Sequence, residues 1–529
     1  MSQSAPKITK DRTAALELID FIDASPSPWH AVASAEARLL AHGFTRLEEE
    51  SRWQLAAGGR YYVVRGGASM IAFVQGSKPI AEAGFRIVGA HTDSPGFRIK
   101  PKAALAGDGL ARLAVEVYGG PILATFTDRD LSLAGRVVLR TAAGQQTRLL
   151  RFERPLLRLP NLAIHMNRDV NEQGLKLNKQ TELPLILGQL GENDDAEALL
   201  RKLLADAVQA DSNHAGSADL LSWELAVYDV QKGCLWGANE EFIASRQLDN
   251  LASCYAALTA LVETKQPDAT CLTALFDHEE VGSESAAGAG SSFITDVLAR
   301  ISAHAKLDEQ DRQRAMARSF FISADMAHAY NPNFPNAYEP GHKVSVNGGP
   351  VIKTNSNQRY TTNAETSARF IGFCERAGVP YQQYAHRSDL GCGSTIGPIV
   401  ASQLGVASVD VGSPVWAMHS ARESAGVHDH AYMIAALEAA FAVETKQALF
   451  FSQIQLVSVL LNSPASFIVQ ADLRQKVEQG AVNIKIRASD FFLFHKAVFR
   501  QCVQMLGRRN PRDTQIFFDE LDLGIRIAE

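Results

Sequence analysis

Three apolar runs in this 529-residue sequence end in a residue able to bind a metal. Phe85 to Ala90 leads into His91, Cys271 to Phe276 into Asp277-His278-Glu279-Glu280, and Phe320 to Ala324 into Asp325. Asp249, at the start of a helical stretch, and His419, beyond the run Val406 to Val411, add another carboxylate and another imidazole. Carboxylate and imidazole donors without thiolate suit zinc, with manganese and cobalt as substitutes. Adjacent acids after an apolar strand are costly to bury unless they are paired or metal-bound. Two neighbouring glutamates meet a need of metal-assisted amide hydrolysis. One ligates, while the other stays off the metal to take a proton from water and pass it to the leaving amine. Asp93, two residues past His91, is spaced to accept the imidazole's second N–H. Each residue also has an ordinary reading: Asp249 suits a helix N-cap, Asp93 a turn before Ser94-Pro95, and each histidine a core or surface position. The co-occurrence of the set is what points to chemistry.

Competing motifs fail on inspection. His278-Glu279 is followed by Glu280-Val281-Gly282, so there is no H-E-x-x-H, and no G-x-S-x-G nucleophile elbow occurs. Gly391-Cys392-Gly393-Ser394-Thr395-Ile396-Gly397 matches neither the dinucleotide fingerprint nor the P-loop and reads as a turn followed by a helix start.

The elements that must position these residues alternate along the chain. Two amphipathic helices, Ala14 to Ile22 and Ala31 to Leu40, flank the SPSP turn, and short β-rich runs at Tyr61 to Arg65 and Met70 to Gln75 precede the strand that ends at His91. From Leu248 onward strands alternate with helices, ending in a helix through Tyr432 to Ala442. That alternation predicts an α/β fold with a mixed, largely parallel sheet flanked by helices, whose strand carboxyl ends form the ligand crevice. Between them the texture changes to alternating runs such as Ala111 to Val117 and Leu131 to Leu139, which predicts an inserted β-rich subdomain. The division is 1–100 with 238–445 as one discontinuous catalytic domain, 101–237 as the insert and 446–529 as a C-terminal extension with no assigned role.

Composition narrows the class of partner. Hydrophobic residues at 46% allow an ample core, and a net charge of −6 removes the electrostatic reason to expect nucleic acid or an anionic membrane. The six cysteines are scattered without a C-x-x-C pair, as in a reduced cytoplasmic protein, and neither a signal peptide nor a membrane span is visible.

The motifs HTDSPGFRIKP (91–101), NLAIHMNRD (161–169), RQLDN (246–250), FDHEEVGSES (276–285), SADMAHA (323–329), GGPVIKTNSNQRYTTNA (348–364) and GSPVWAMHSARE (412–423) resemble, in order over roughly residues 12–445, the aspartyl aminopeptidase family of dinuclear zinc exopeptidases. The resemblance implies two zinc ions per subunit, one held by His91, Asp249 and Asp325, the other by Asp249, Glu280 and His419. It implies Glu279 as general base and Asp93 as the carboxylate that orients His91. Lys353, Tyr360 and His328 match substrate-contacting positions, with Lys353 the cation for an N-terminal Asp or Glu of a peptide. His165 corresponds to a residue that reaches a neighbouring subunit's site from a dimerisation subdomain, and the family suggests a homo-oligomer, a twelve-subunit shell. The chain departs from the pattern at Asn331, where relatives commonly carry histidine, and in its extension. Two further readings use the same residues: a deacylase or carboxypeptidase acting at the same metal site, and a non-catalytic self-assembling scaffold. The retention of Glu279 and Asp93 argues against the scaffold, which needs no unligated base beside a metal.

Overall fold

The computed structural model describes residues 5–142, 144–210 and 219–442. The extension expected at 446–529, with its apolar runs at 467–469 and 482–486 and the helix expected around 491–506, lies outside the described residues. The described residues all fall within one compact unit.

A nine-stranded sheet runs in the order Thr45–Arg46, Arg60–Arg65, Ser69–Val74, Thr270–Phe276, Phe85–His91, Phe320–Ala324, Ala407–Gly412, Val351–Thr354, Gln382–Ala385. The four strands from Thr270–Phe276 to Ala407–Gly412 are mutually parallel, while Ser69–Val74 and Val351–Thr354 meet them antiparallel. Parallel strands covered on both faces read as unbroken apolar runs, and here side chains alternate between two cores. Met70, Ala72 and Val74 join the layer of Leu248–Glu263, Ala364–Ala377 and Val427–Phe441, whereas Ile71 and Phe73 join that of Phe293–His304 and Ile396–Leu404. Helix Leu248–Glu263 is apolar nearly all round because it is buried nearly all round. At the N-terminus, Ser27 caps Pro28–Ala41 by accepting from the His30 N–H, with Pro28 in the first turn, which explains the SPSP punctuation.

Six antiparallel strands make a separate sheet: Gly144–Arg151, Leu131–Thr141, Asp219–Asp229, Gly96–Gly107, Leu110–Tyr118 and Leu185–Gln189. Its limits differ from the sequence reading. Pro101 lies inside Gly96–Gly107, where the register with Leu110–Tyr118 shifts between Ile99 and Ala104. The proline thus marks a bulge rather than a boundary. Cys234–Trp236 belongs instead to a five-stranded sheet with Phe242–Ser245, Glu423–Gly426, Pro414–Trp416 and Ala327–His328. The insert also carries a helix the sequence reading passed over, Ala196–Ala210, which packs Leu200, Leu204 and Val208 into the core of the six-stranded sheet. Among the described residues no helix is long and apolar enough to cross a membrane.

Candidate metal centre

The carboxyl rim of the parallel strands brings the chemistry together. His91 ends its strand opposite Phe276, so Asp277 to Glu280 emerge beside it, and Asp325 follows Ala324 on the neighbouring strand. Asp249 stands at the head of Leu248–Glu263, where it and Asn250 leave helical φ/ψ and the peptide bond between them is cis. Its main chain is fixed from two sides: Ser94 donates to the Asp249 carbonyl (2.7 Å), and the Asp249 N–H donates to Glu423 (2.9 Å). Its side chain therefore does not serve as an N-cap. Glu279 and Glu280 lie on the short turn Glu279–Val281, entered through His278 at φ 65°, and His419 adopts φ 68°.

Asp249 is the hub. His91 Nε2 lies 3.4 Å from its Oδ1 and His419 Nε2 lies 3.4 Å from its Oδ2. His91 Nε2 also faces Asp325 Oδ1 at 3.6 Å, and His419 Nε2 faces Glu280 Oε2 at 3.5 Å. Donor atoms of His91, Asp249 and Glu280 fall within 4.8 Å of one another. Asp249 Oδ1 and Glu280 Oε1 are buried without a hydrogen-bond partner, a costly state unless a cation faces them. Two ligands each about 2.0–2.2 Å from a tetrahedral ion stand about 3.4 Å apart, so the spacing and the donor chemistry fit a divalent metal such as zinc.

A second ring of contacts holds these side chains. The Asp93 carboxylate accepts the N–H groups of Glu279 and Glu280 (both 3.1 Å) and the hydroxyl of Tyr118 (2.7 Å). With three donors already on it, it stands 3.4 Å from His91 Nδ1, and the shorter contact, 3.1 Å, is to the main-chain carbonyl of Asp93. The sequence reading expected the carboxylate alone. On the other side Glu423 accepts both the Asp249 N–H and the His419 N–H (2.7 Å), and the Gly120 carbonyl lies 3.1 Å from His419 Nδ1.

The electrostatics reflect crowded buried carboxylates. Burial lifts Glu279 to about 8, with Asp325, Asp93 and Asp249 adding and His91 opposing; Glu280 is raised well above its ordinary value by burial and by Asp249. Burial also lifts Glu423 to about 8. For the imidazoles burial works the other way and is outweighed: Asp249, Asp325 and Asp93 raise His91, and Asp249 and Glu280 raise His419 to about 10. The cluster draws in whatever positive charge is available.

Lys353 and Tyr360 lie next to this cluster. The Lys353 ammonium is buried 3.5 Å from Asp325 Oδ2 and sits over the Tyr360 ring at 5.0 Å. His328 packs at a tilt against Tyr384 and His386, each at 6.0 Å between ring centroids, and burial together with Lys353 and His386 holds it down to about 4. The Tyr384 hydroxyl meets His386 Nδ1 at 2.6 Å. His165 is exposed in a turn of the connection between strands Gly144–Arg151 and Leu185–Gln189, among exposed Leu162, Ile164 and Met166. Asn331 accepts the Asn333 N–H and stabilises its own turn. Thr395 caps helix Ile396–Leu404, and Gly397 leaves no room for a Cβ beside Asp410, so the glycine-rich run is packed as a turn.

Sequence reasoning assigned no role to Glu423, Tyr118, Gly120, Tyr384 or His386. Glu423 had the only visible signal, as the acid closing the motif that contains His419.

The model of the family described as aminopeptidase I zinc metalloprotease (M18) matches residues 21–441. A probable M18 family aminopeptidase 2 of Stutzerimonas stutzeri (strain A1501) is 49% identical over 426 residues, covering 80% of this chain and 97% of the relative. Among solved structures, a chain of the Ape4 and Nbr1 complex superposes with a TM-score of 0.79 at 37% identity over 84% of this chain and 88% of that one. The S. cerevesiae mApe1 dodecamer gives 0.72 at 27% identity over 84% and 99%. With the strand-rim cluster of histidines and carboxylates in place, these matches lead to one conclusion: the chain belongs to the M18 family of zinc metalloprotease aminopeptidases.

Proposed function

We propose that this M18 aminopeptidase removes N-terminal Asp or Glu from peptides, with two zinc ions sharing Asp249 and with Glu279 as general base. The observation that carries the reading is the two-sided Asp249 carboxylate, one oxygen turned to His91 and the other to His419. His91, Asp249 and Asp325 would hold one ion, and Asp249, Glu280 and His419 the other; manganese or cobalt suits the same donors. When bound, the metals supply Lewis-acid polarisation of the scissile carbonyl and activation of water. Glu279 takes the water's proton and returns it to the leaving nitrogen. Its neighbour on the same turn, Glu280, faces His419, and Asp93 holds both backbone N–H groups. Lys353, with His328 and Tyr360, would receive the acidic side chain.

We also propose that the insert expected at 101–237, whose sheet begins with strand Gly96–Gly107, is a dimerisation subdomain through which His165 completes a neighbour's site in a homo-oligomer, and that the chain on either side of it, to about 445, is the catalytic body. The exposed Leu162, Ile164 and Met166 around it support an interface, as does the dodecamer named for a structural neighbour. A cytoplasmic location is supported by the five described cysteines, all free.

The test combines zinc analysis of the purified protein with a panel of aminoacyl-p-nitroanilides. The expected result is close to two zinc per chain, loss of activity on chelation, recovery on add-back, and faster cleavage of Asp and Glu than of Leu or Ala. Faster cleavage of Leu or Ala would remove the acidic preference and leave the aminopeptidase class in place.

A further inference from the structure

The six-stranded sheet does more than pack beside the centre. Strand Leu110–Tyr118 leaves that sheet at Tyr118; its last residue reaches the support of one imidazole, and the residues that follow reach the other directly. The Tyr118 hydroxyl donates to Asp93 (2.7 Å), whose main chain and carboxylate face His91 Nδ1. The Gly120 carbonyl lies 3.1 Å from His419 Nδ1, and the Ile122 N–H donates to the His419 carbonyl (2.9 Å). Gly119, at φ +67°, lies so close to Glu280 that an added Cβ would stand 3.1 Å from the Glu280 Cβ. The segment thus touches three residues of the centre or its support, Asp93, Glu280 and His419, within five positions.

The Tyr118 ring is itself held. The Arg98 guanidinium lies over it at 4.5 Å and over Trp29 of helix Pro28–Ala41 at 5.1 Å. Arg136 of the six-stranded sheet lies over the same indole at 5.0 Å and donates to the Gly66 carbonyl (2.7 Å). The stack ties that sheet to the body beside the point where the segment departs.

We propose that Tyr118–Ile122 is a positioning strap that sets both histidines of the metal centre, through Asp93 at His91 and directly at His419, and so links metal affinity to the docking of the six-stranded sheet. A carbonyl facing Nδ1 takes that nitrogen's hydrogen and leaves the Nε2 lone pair free to ligate, and such partners govern ring orientation and ligand basicity. Because the strap is continuous with the inserted sheet, an ion that tightens the ligands also tightens the sheet's attachment, and the coupling works equally in reverse. The proposal rests on reading His91 and His419 as metal ligands.

The experiment measures zinc affinity of the full chain by competition with a chromophoric chelator, for wild type, Tyr118→Phe and Gly119→Ala. Tyr62→Phe is the control, since it too loses a hydroxyl hydrogen bond, to Glu36 (2.9 Å), but away from the strap. Affinity is expected to fall about 10- to 100-fold in the two strap variants, the usual effect of removing an outer partner of a ligand, and to stay within about twofold in the control. Hydrogen exchange over 110–122 is expected to quicken when zinc is stripped from wild type. If Gly119→Ala fails to fold, Tyr118→Phe, which removes one oxygen, decides alone. Wild-type affinity in Tyr118→Phe would overturn the strap, and exchange indifferent to zinc would overturn its coupling to the sheet. A wild type that takes up no zinc would overturn the ligand reading, and the strap with it.

Discussion

Lys353 is ion-paired with Asp325: its Nζ lies 3.5 Å from Oδ2 and also donates to the main-chain carbonyls of Asp325 and Met326. A substrate carboxylate reaching Lys353 therefore meets a lysine whose charge is already shared with a residue of the metal cluster. Lys353→Met is expected to lower kcat/KM for an Asp substrate by about 10- to 100-fold, the worth of hydrogen bonds to a charged group, and to reduce zinc occupancy because Asp325 loses its counter-charge. Equal losses on Asp and Leu substrates would assign the lysine to holding Asp325 alone.

Glu279→Gln is expected to keep zinc content and fold, since the Glu279 N–H to Asp93 survives the change, while turnover drops by about 10²-fold or more. Turnover equal to wild type, measured on zinc-loaded protein, would exclude Glu279 as the base.

Glu423 is buried and accepts one backbone N–H on each carboxylate oxygen. An amide has a single accepting oxygen, so Glu423→Gln leaves the N–H of either Asp249 or His419 facing another donor. The expected cost is about 1–3 kcal/mol, read from urea unfolding with chelator present. Glu423→Ala is expected to be at least as destabilising, and stability equal to wild type in both would show that the two N–H groups find other partners.

Acid is expected to destabilise the fold partly through His430. Burial, and then Arg38, hold its imidazole down to about 3, and its Nε2 has no partner. The unfolded chain gains this proton near the ordinary histidine value of about 6.5. The stability from a neutral His430 is thus full above that pH and is lost as pH falls toward 3. His430→Phe should flatten the decline between about pH 6 and 4 by up to one proton, about 1.4 kcal/mol per pH unit. Urea unfolding at three pH values checks this, and an unchanged slope would mean that His430 does not resist protonation.

The rim of the sheet was legible because three of the four parallel strands are largely apolar runs that lead into a polar residue: His91, Asp277 and Asp325 mark these stops. Asp249 was ambiguous in isolation, since a carboxylate at a helix head caps as readily as it ligates, and only the backbone departure at Asp249 and Asn250 turns it toward the histidines. Glu423 and Tyr118 could not be assigned from sequence. Glu423 has one partner, His419, in its own motif, but the other, Asp249, lies 174 residues away; Tyr118 meets Asp93 across a sheet boundary, and nothing local to a tyrosine at a strand end reports what its hydroxyl will reach. Pro101 misled for a related reason, because a proline at a bulge and a proline at a domain edge look the same in one dimension.

The strand Phe85–His91 lies between two partners that come much later in the chain, Thr270–Phe276 and Phe320–Ala324, and His419 comes later still. At about 5–20 residues per second of synthesis, His91 leaves the ribosome on the order of tens of seconds before His419. The hairpins Gly96–Gly107 with Leu110–Tyr118 and Leu131–Thr141 with Gly144–Arg151 pair neighbours and can close within that interval. The catalytic strands cannot. A metal site drawing on both His91 and His419 would therefore close only after residue 419 has been made, and until Thr270–Phe276 and Phe320–Ala324 arrive the apolar strand Phe85–His91 has both edges unpaired, the condition under which strands pair wrongly.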